Sequence, residues 1–349
     1  MKHLPGLLLA VGLVGCAAKE NAGDAADTVG ALEPSGAEIG GENQGEPSSI
    51  NVDNTEITDV GVSGPEKALP ESEIVGDQRS EVDPGAALEK LGVGVVRNGE
   101  GEIVSLNLSA TEITDAGMQH LKGLTSLENV TLDRTQITDA GLEHMKGLTS
   151  LKALYLWRTQ VTDPGMEHLK GLPSLQILNL AFVQITDAGL EHLKEMTSLR
   201  TLNLKDTQVT DAGLEHPKGL ANLQTLNLKD TRVTDAGMKH LKELTGLKEL
   251  WLDGTQLTDA GLEHLKGMTS VARLYLDGTQ ITDAGLEHLN GLTSLQILNL
   301  NSTQITGAGV TELKGLTNLQ RLGLEYCEEI TDAAVAELQK SLPNCVISH

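Results

Sequence analysis

The hydrophobic residues of this chain recur with a fixed period of 24 positions, from Ile103 to about Tyr326. The stretch LENVTLDRTQITDAGLEHMKGLTS, residues 127–150, represents one period. The apolar residues that lead each period are Ile103, Leu127, Leu151, Leu175, Leu199, Leu223, Leu247, Val271, Leu295 and Leu319. Self-similarity at a fixed period of this length predicts an array of stacked repeats, each one a small supersecondary unit.

Each period has two halves with different spacing. In LENVTL, Val130 and Leu132 alternate with polar residues, which is typical of a strand with one buried face. In TDAGLEHMKGL the apolar residues are three apart, which predicts one face of a short helix: Leu142, Met145 and Leu148. Thr138 or Asp139 stands where a helix N-cap belongs, and the helix is expected to end at Gly147.

A unit of this kind cannot fold alone. About seven buried apolar side chains contribute roughly 10–20 kcal/mol, and ordering the backbone of the unit costs at least as much. Stacked units share a continuous core, with parallel strands on one side and helices on the other. Because strands are narrower than packed helices, the array is expected to curve into a horseshoe or arc with the sheet on its concave face and the helices on its convex face.

The consensus L-x-x-L-x-L-x-x-T-x-I-T-D-A-G-L-x-x-L-x-x-L resembles the leucine-rich repeat. The I-T-D-x-G/A-L turn and the segment EYCEEITDAAV, residues 325–335, resemble its ribonuclease-inhibitor-like, cysteine-containing subtype, found in the repeat arms of F-box adaptors and in bacterial repeat proteins. Where that subtype has Asn or Cys, most repeats here have Thr, and only Cys327 follows the family. The resemblance implies an α/β solenoid and a binding role, and it implies no particular activity.

The N-terminus has the features of a secretory signal. Lys2 and His3 precede the apolar run LLLAVGLVG, which is too short to span a bilayer. The motif Leu-Val-Gly-Cys that ends at Cys16 resembles the lipobox of bacterial lipoproteins, in which the cysteine is acylated. This resemblance implies export and a lipid anchor as the only membrane attachment, with the repeats in the periplasm or outside the cell.

The next segment, residues 17–83, contains sixteen acidic residues and three basic residues and no aromatic residue. Such a composition favours an extended, disordered spacer. The predicted organisation is therefore a signal peptide at 1–15, an acidic tether at 16–83, an N-terminal cap at 84–101, repeats at 102–326 and a C-terminal cap at 327–349.

Two local patterns predict the caps. Pro84 begins a capped helical pattern in which Leu88 and Leu91 face the core, and Asn98-Gly99 is a hairpin signal between two strands. At the other end, Cys327 and Cys345 are expected to be buried and unpaired, since they belong to opposite ends of adjacent strands.

The net charge limits the class of partner. The whole chain carries −23, and about −11 remains on residues 84–349. A surface that binds phosphates needs the opposite sign, so nucleic acid is excluded as the expected partner. A monomer is expected.

Two columns of polar residues recur in the helical halves. The histidines are His120, His144, His168, His192, His216, His240, His264 and His288. The aspartates are Asp115, Asp139, Asp163, Asp187, Asp211, Asp235, Asp259 and Asp283. Neighbouring helices stand too far apart for one histidine from each to share a metal ion, so packing is expected for the histidines. Helix capping is expected for the aspartates. We predict no catalytic residue, cofactor or metal site.

The aromatic residues stand outside the repeat consensus. Tyr155, Trp251 and Tyr275 lie between two core leucines, so their side chains are expected on the concave face, and Trp157 and Phe182 follow near the ends of strands. Aromatic residues are frequent hot spots of interfaces, although rings also suit a flat sheet. The predicted partner-binding residues are Tyr155, Trp157, Arg158, Asn179, Phe182, Asn203, Asn227, Trp251 and Tyr275.

Three functions agree with this pattern. The first is a non-enzymatic, lipid-anchored protein that binds another protein or a peptide on its concave face. The second is binding of a cell-wall or extracellular polysaccharide, since rings stack on sugars and asparagines bond hydroxyls. The third is an F-box-like adaptor in protein turnover, which rests on fold analogy alone.

Overall fold

The computed structural model describes Leu88 and residues 93–349 of the chain. The predicted signal peptide with Cys16, the acidic tether and the N-terminal helix apart from Leu88 lie outside the described residues. Within the described part, Leu88 is helical and buried, and its carbonyl oxygen accepts the backbone N–H of Val93 at 3.3 Å. The predicted domain boundaries stay predictions.

One sheet of 12 strands runs through the described residues in sequence order. Its strands are β1 Gly94–Arg97, β2 Ile103–Asn107, β3 Asn129–Thr131, β4 Ala153–Tyr155, β5 Ile177–Asn179, β6 Thr201–Asn203, β7 Thr225–Asn227, β8 Glu249–Trp251, β9 Arg273–Tyr275, β10 Ile297–Asn299, β11 Arg321–Gly323 and β12 Val346–Ser348. β1 and β2 are antiparallel, which confirms the hairpin predicted at Asn98-Gly99, and every later pairing is parallel.

The register of the parallel pairs follows the sequence period. Ile177 pairs with Thr201, which pairs with Thr225, so each partner lies 24 residues further along the chain. The last pair, Arg321 with Val346, has one residue more. Because every strand is offset by one repeat, equivalent residues of all repeats lie in straight columns across the sheet.

The opposite side of the solenoid consists of short helices. The α-helices are α1 Asp139–Glu143, α2 Asp163–Met166, α3 Asp187–Leu190, α4 Asp235–Leu241, α5 Asp259–Glu263, α6 Asp283–Leu286 and α7 Asp332–Ser341. The 3₁₀ helices are Gly117–Leu121, Glu167–Gly171, Glu191–Leu193, Gly213–Glu215, Pro217–Gly219, Glu287–Gly291 and Gly309–Gly315. The α-helices end earlier than the apolar spacing predicts; α1 stops at Glu143, and Gly147 forms a left-handed turn at φ +93°.

Around Pro217 the helical half of the repeat consists of two 3₁₀ turns, Gly213–Glu215 before His216 and Pro217–Gly219 after it. Proline removes a backbone donor, so the segment cannot continue as an α-helix. The two preceding repeats also change to 3₁₀ geometry after one α-turn, whereas the following repeat keeps an α-helix at Asp235–Leu241. Pro217 therefore fits an arrangement that some of the other repeats adopt.

The core lies between the sheet and the helical side. In the repeat that begins at Leu127, the apolar positions of the strand and of the helical half are fully or almost fully buried: Leu127, Val130, Leu132, Leu142, Met145 and Leu148. At the C-terminal end, Val335, Leu338 and Leu342 of the α7 region join the same cluster. Cys327 and Cys345 are buried free thiols at this end, and burial raises the pKa of Cys345.

The aspartate column joins successive repeats. Asp139 Oδ1 accepts the backbone N–H of Thr162 at 2.7 Å, and Oδ2 accepts the Thr162 hydroxyl at 2.6 Å. The helix cap itself is the threonine; Thr138 Oγ1, for example, accepts the N–H of Ala140 at 3.3 Å. The prediction that these aspartates cap helices was therefore wrong, because their carboxylates bind the next repeat.

The threonine column has a local role. The hydroxyl of Thr135 donates to the carbonyl oxygen of Leu132 at 2.6 Å, three residues earlier in the same repeat. The same bond recurs at Thr159, Thr207, Thr231, Thr255, Thr279 and Thr303. Each bond satisfies a buried carbonyl at the end of a strand, so the column stabilises the turn that follows.

Candidate interaction surface

Side chains that alternate with the core leucines form the outer sheet face, meaning the face turned away from the core. Tyr155 on β4 pairs with Thr131 on one side and with Asn179 on the other. Three strands further, Trp251 and Tyr275 are direct partners on β8 and β9. The columns of the sheet thus place the predicted aromatic residues on one face, as their alternation with leucine requires.

Five side chains at the carboxyl ends of the strands form a basic–aromatic ladder, which we define as Arg134, Trp157, Arg158, Phe182 and Lys205. The Cζ atom of Arg134 lies 4.9 Å from the Trp157 ring centre, and that of Arg158 lies 5.0 Å from it. Arg158 also lies 5.1 Å from the Phe182 ring, and Lys205 Nζ lies 5.6 Å from that ring. Cations and rings therefore alternate across four repeats, at distances typical of cation–π contacts.

The two rings of the ladder contact each other edge to face. Their centres are 6.2 Å apart and their planes are inclined by 80°. Both rings are partly exposed, whereas Arg158 is exposed. Such pairs hold their geometry because the edge of one ring meets the electron-rich face of the other. The ladder is thus a partly ordered surface that remains open to solvent.

The backbone beneath the ladder is left-handed at three positions. Arg134, Arg158 and Phe182 have φ values of 57°, 53° and 58°. At the equivalent place in two later repeats the chain has Gly254 and Gly278, with φ of 64° and 66°. Glycine adopts this conformation without strain, but other residues spend roughly 1–2 kcal/mol on it. Large side chains here therefore oppose the local backbone preference.

A buried carboxyl group supports the ladder from below. Asp133 Oδ1 accepts the backbone N–H of Trp157 at 2.9 Å. Burial raises the pKa of Asp133 to about 6, and the bond from Trp157 offsets part of that increase. The pKa of the neighbouring Tyr155 hydroxyl is also raised, first by burial and then by the charge of Asp133. Asp133 positions the Trp157 backbone within the turn.

The second aromatic pair differs from the first. The rings of Trp251 and Tyr275 are stacked, with centres 3.5 Å apart and planes inclined by 8°. Trp251 is only 7% exposed. Trp251 lies in the expected column of outward-facing residues, but the ring of Tyr275 stacks on it and leaves little of it exposed. A partner can reach the Tyr275 side of this pair more easily than Trp251.

The asparagine row is also mostly covered. Asn179, Asn203 and Asn227 are 8%, 4% and 1% exposed. Each side-chain oxygen accepts the backbone N–H two residues further on, for example Asn203 Oδ1 from Lys205 at 3.0 Å. In the structure these side chains satisfy backbone donors in the turns, and their predicted role in partner binding stays a prediction.

Acidic residues follow the ladder along the sheet. Asp253 is 4% exposed, and its Oδ1 accepts the N–H of Asp277 at 3.2 Å. Its Oδ2 is buried without a hydrogen-bond partner in the described part of the chain. Burial raises the pKa of Asp253 to about 6, although Lys229 acts in the opposite direction.

The histidine column lies on the helical side and forms no cluster. Within residues 93–349, no three His, Cys, Asp or Glu side chains are arranged to hold a metal ion. Seven of the eight histidines are partly buried, from His144 to His288, and the Nδ1 atoms of His144 and His168 are buried without a hydrogen-bond partner. This position agrees with packing between neighbouring repeats. The described residues also include no helix long and apolar enough to cross a membrane.

Sequence reasoning missed Lys205 and Asp133 as members of this surface. Both occupy the same place as Trp157 in their own repeats, two residues after an outward-facing strand residue. That shared register was a usable signal. The cation–ring contacts themselves depend on the left-handed turns, which the residue types at these positions do not favour.

Two family models, both described as leucine-rich repeat, match parts of the chain. One matches residues 269–328, and the other matches residues 171–194, 195–215 and 219–242. Neither description names a subtype, so the cysteine-containing subtype stays a prediction. No curated protein sequence matches the chain significantly.

Solved structures provide a further comparison. A leucine-rich-repeat protein of Leptospira interrogans is 25% identical with a TM-score of 0.55, and the match covers 70% of this chain and 60% of that protein. An internalin of Listeria monocytogenes is 21% identical with a TM-score of 0.43, covering 76% of this chain and 92% of the internalin. Internalin C2 of the same species is 25% identical with a TM-score of 0.43, covering 69% and 91%.

Proposed function

We propose that this chain, which has the α/β leucine-rich-repeat solenoid fold predicted from its sequence, binds another protein or a peptide on the outer sheet face. The single observation that carries this proposal is the basic–aromatic ladder of Arg134, Trp157, Arg158, Phe182 and Lys205. Tryptophan and arginine are the residue types most enriched among interface hot spots. The proposed role is binding without catalysis.

The support of the ladder fits a binding role. Trp157 and Phe182 lie next to hydrogen-bonded strands, and the Trp157 backbone is held by Asp133. A partner would therefore meet side chains whose positions are largely fixed, and it would spend less conformational entropy on ordering them. Tyr275 extends the same face toward the C-terminal repeats.

The Leu-Val-Gly-Cys motif leads us to propose that Cys16 is acylated and that the protein is exported. The acidic segment 17–83 would then separate the repeats from the membrane surface. The test is membrane fractionation and mass spectrometry of the parent and a Cys16→Ser variant. Acylation of the parent and release of the variant are expected, whereas an unmodified Cys16 would contradict the anchor.

Binding is tested by photo-crosslinking of the full chain in a native cell-envelope extract, with identification of the captured protein and reconstitution with that protein in purified form. Trp157→Ala and Phe182→Ala are expected to reduce affinity at least tenfold. Tyr326→Ala is the matched control, because Tyr326 has the same place in its repeat as Phe182, with φ 60°, and is 82% exposed.

The outcomes separate the candidate functions. Loss of the partner with Trp157→Ala and Phe182→Ala, but not with Tyr326→Ala, supports the proposal. If soluble glycans compete for the ladder and no protein does, the function is polysaccharide binding. Equal capture by all variants would show that the outer sheet face is not the binding site.

A further inference from the structure

Two of the three cations of the ladder, Arg134 and Arg158, contact rings rather than carboxylates. Several basic residues elsewhere in the repeats pair with a carboxylate, as Lys152 does with Glu128 at 2.7 Å and Arg273 with Glu249 at 3.2 Å. Among the described residues, Arg134 and Arg158 form no salt bridge, and their recorded side-chain contacts are with rings. The whole chain has a net charge of −23, so two neighbouring guanidinium groups form a local site of opposite charge.

The carboxylate nearest in sequence, that of Asp133, neutralises the charge of Arg134 and Arg158 only in part. Asp133 directly precedes Arg134, but it is only partly buried, and among the described residues it forms no salt bridge with that guanidinium group. Its recorded hydrogen bond is to the backbone of Trp157. The charge of the two guanidinium groups is therefore directed mainly toward solvent and toward whatever binds there.

We propose that the basic–aromatic ladder binds an acidic, extended peptide segment of a partner protein, with its carboxylates on Arg134 and Arg158 and its apolar side chains against Trp157 and Phe182. This inference rests on the proposed binding function and names the chemistry of the partner. A carboxylate accepts two parallel hydrogen bonds from a guanidinium group, and stacking on a ring leaves the N–H edge of that group available.

The dimensions of the ladder suit a short peptide. Arg134 and Lys205 lie three repeats apart, which corresponds to about 14 Å at a strand spacing of ~4.8 Å. An extended chain rises about 3.3 Å per residue, so four to five residues cover this distance. Side chains i, i+2 and i+4 of such a segment face the same side, so acidic residues at i and i+4 and an apolar residue at i+2 can meet the cations and a ring together.

Two observations favour a peptide over a glycan. Guanidinium groups already lie over the Trp157 and Phe182 rings, where a sugar would otherwise stack. The asparagines that could bond sugar hydroxyls are buried. Asp206 and Asp230 stand in the next two repeats at the place that Arg158 and Phe182 occupy in theirs, so the ladder ends at Lys205.

The test uses the purified full chain and the fluorescent seven-residue peptide Glu-Ser-Leu-Ser-Glu-Ser-Leu, which has glutamate and leucine on one face when extended, with binding followed by fluorescence anisotropy. The comparison peptide has glutamine in place of glutamate. The Arg134→Gln/Arg158→Gln variant removes both guanidinium groups. The matched control is Lys170→Gln/Lys266→Gln, which changes the net charge equally at two exposed positions on the helical side.

We expect the parent to bind the acidic peptide at least tenfold more tightly than the glutamine peptide, and more weakly as salt rises. The arginine variant should lose at least tenfold in affinity, and the lysine control should stay within twofold of the parent. Equal binding of both peptides, or equal loss with both variants, would overturn the inference. Circular dichroism of each variant shows whether the fold is retained.

Failure of this inference is distinguishable from failure of the proposed function. If the partner captured by crosslinking is lost with Trp157→Ala but retained with Arg134→Gln/Arg158→Gln, the outer sheet face binds a partner whose recognition is apolar. The proposal that the partner segment is acidic is then wrong, and the proposed binding function stands. If neither variant changes capture, both proposals fail.

Discussion

Asp139 holds Thr162 of the next repeat with both oxygens of its carboxylate, one on the backbone N–H at 2.7 Å and one on the hydroxyl at 2.6 Å. The same pair of hydrogen bonds occurs at every junction from Asp115–Thr138 to Asp283–Thr306. In a solenoid each repeat contacts only its neighbours, so such junctions contribute directly to the coupling between repeats.

Replacement of one of these aspartates should weaken one junction. For Asp187→Ala we expect a loss of about 2–3 kcal/mol in the free energy of unfolding, because Thr210 loses two hydrogen bonds to a charged acceptor. Urea denaturation followed by circular dichroism measures this loss. Glu263→Gln, at an exposed position, serves as the control and should change stability by less than about 0.5 kcal/mol. An unchanged urea midpoint for Asp187→Ala would show that the junction bonds contribute little.

The same carboxylate explains a glycine of the next repeat. A Cβ atom on Gly213 would overlap Oδ1 of Asp187 and approach its Cγ at 3.1 Å. Gly213→Ala alone is therefore expected to cost about 2 kcal/mol or more, and less than about 1 kcal/mol in the Asp187→Ala background. A double-mutant cycle in urea measures the coupling, and additive losses would contradict it. The chain contains one natural precedent, since Gly307 replaces the aspartate where Ala334 replaces the glycine.

The sequence predicted the solenoid, the strands and the columns because these follow from the period of the apolar residues. It did not predict the partner of each aspartate. A residue at the start of a helix can cap its own turn or bind elsewhere, and Thr162 lies 23 residues after Asp139, in another repeat. Only the stacking geometry brings the two together, and short-range patterns contain no information about it.

The binding face was predicted in part for a similar reason. The alternation of apolar and polar positions placed Trp157 and Trp251 outside the leucine core, and both residues do belong to outward-facing columns. Exposure within a column depends on the neighbouring strands. Tyr275 covers Trp251, whereas Trp157 meets Phe182 only by its edge. The accessibility of an outward-facing residue therefore depends on the residue one repeat away.

The left-handed turn after each strand predicts two substitutions of opposite sign. Ser302 has φ 53° and no recorded side-chain hydrogen bond in the described structure, so Ser302→Gly should stabilise the fold by about 0.5 kcal/mol. Gly278 has φ 66° and open space around a hypothetical Cβ, so Gly278→Ala should destabilise it by about 1 kcal/mol through backbone strain alone. Thermal and urea unfolding check both values. If both variants changed the free energy of unfolding in the same direction, the backbone of this turn would be shown to relax on substitution.

Asp253 predicts a pH dependence of stability. Its pKa is about 6 in the folded chain, against 3.8 for an aspartate that is not buried. Between about pH 4 and pH 6 the folded state therefore keeps a proton that the unfolded state has lost. Stability from this group is therefore present below about pH 4 and decreases as pH rises to about 6. Asp253→Asn should raise the unfolding free energy by about 1–2 kcal/mol at pH 7.5 and leave it unchanged near pH 4.

Urea titrations of the Asp253→Asn variant at both pH values make this measurement, with Asp206→Asn as a control at an exposed position. The control should show no difference between the two pH values relative to the parent. A gain for Asp253→Asn that is equal at pH 4 and pH 7.5 would mean that the amide stabilises the site for a reason other than the buried charge.

The two tryptophans should separate stability from binding. Trp251 is 7% exposed and stacks on Tyr275, so Trp251→Ala should cost about 3 kcal/mol or more in the free energy of unfolding. Trp157 is partly exposed and its recorded ring contacts are with Arg134, Arg158 and Phe182, so Trp157→Ala should cost only about 1 kcal/mol. Partner affinity should change in the opposite order, with the larger loss for Trp157→Ala under conditions in which both variants remain folded. Urea unfolding and titration with the captured partner measure the two quantities on the same samples. If the larger loss of affinity belonged to Trp251→Ala, the binding site would lie around Tyr275, and the ladder would be a stabilising feature of the turns.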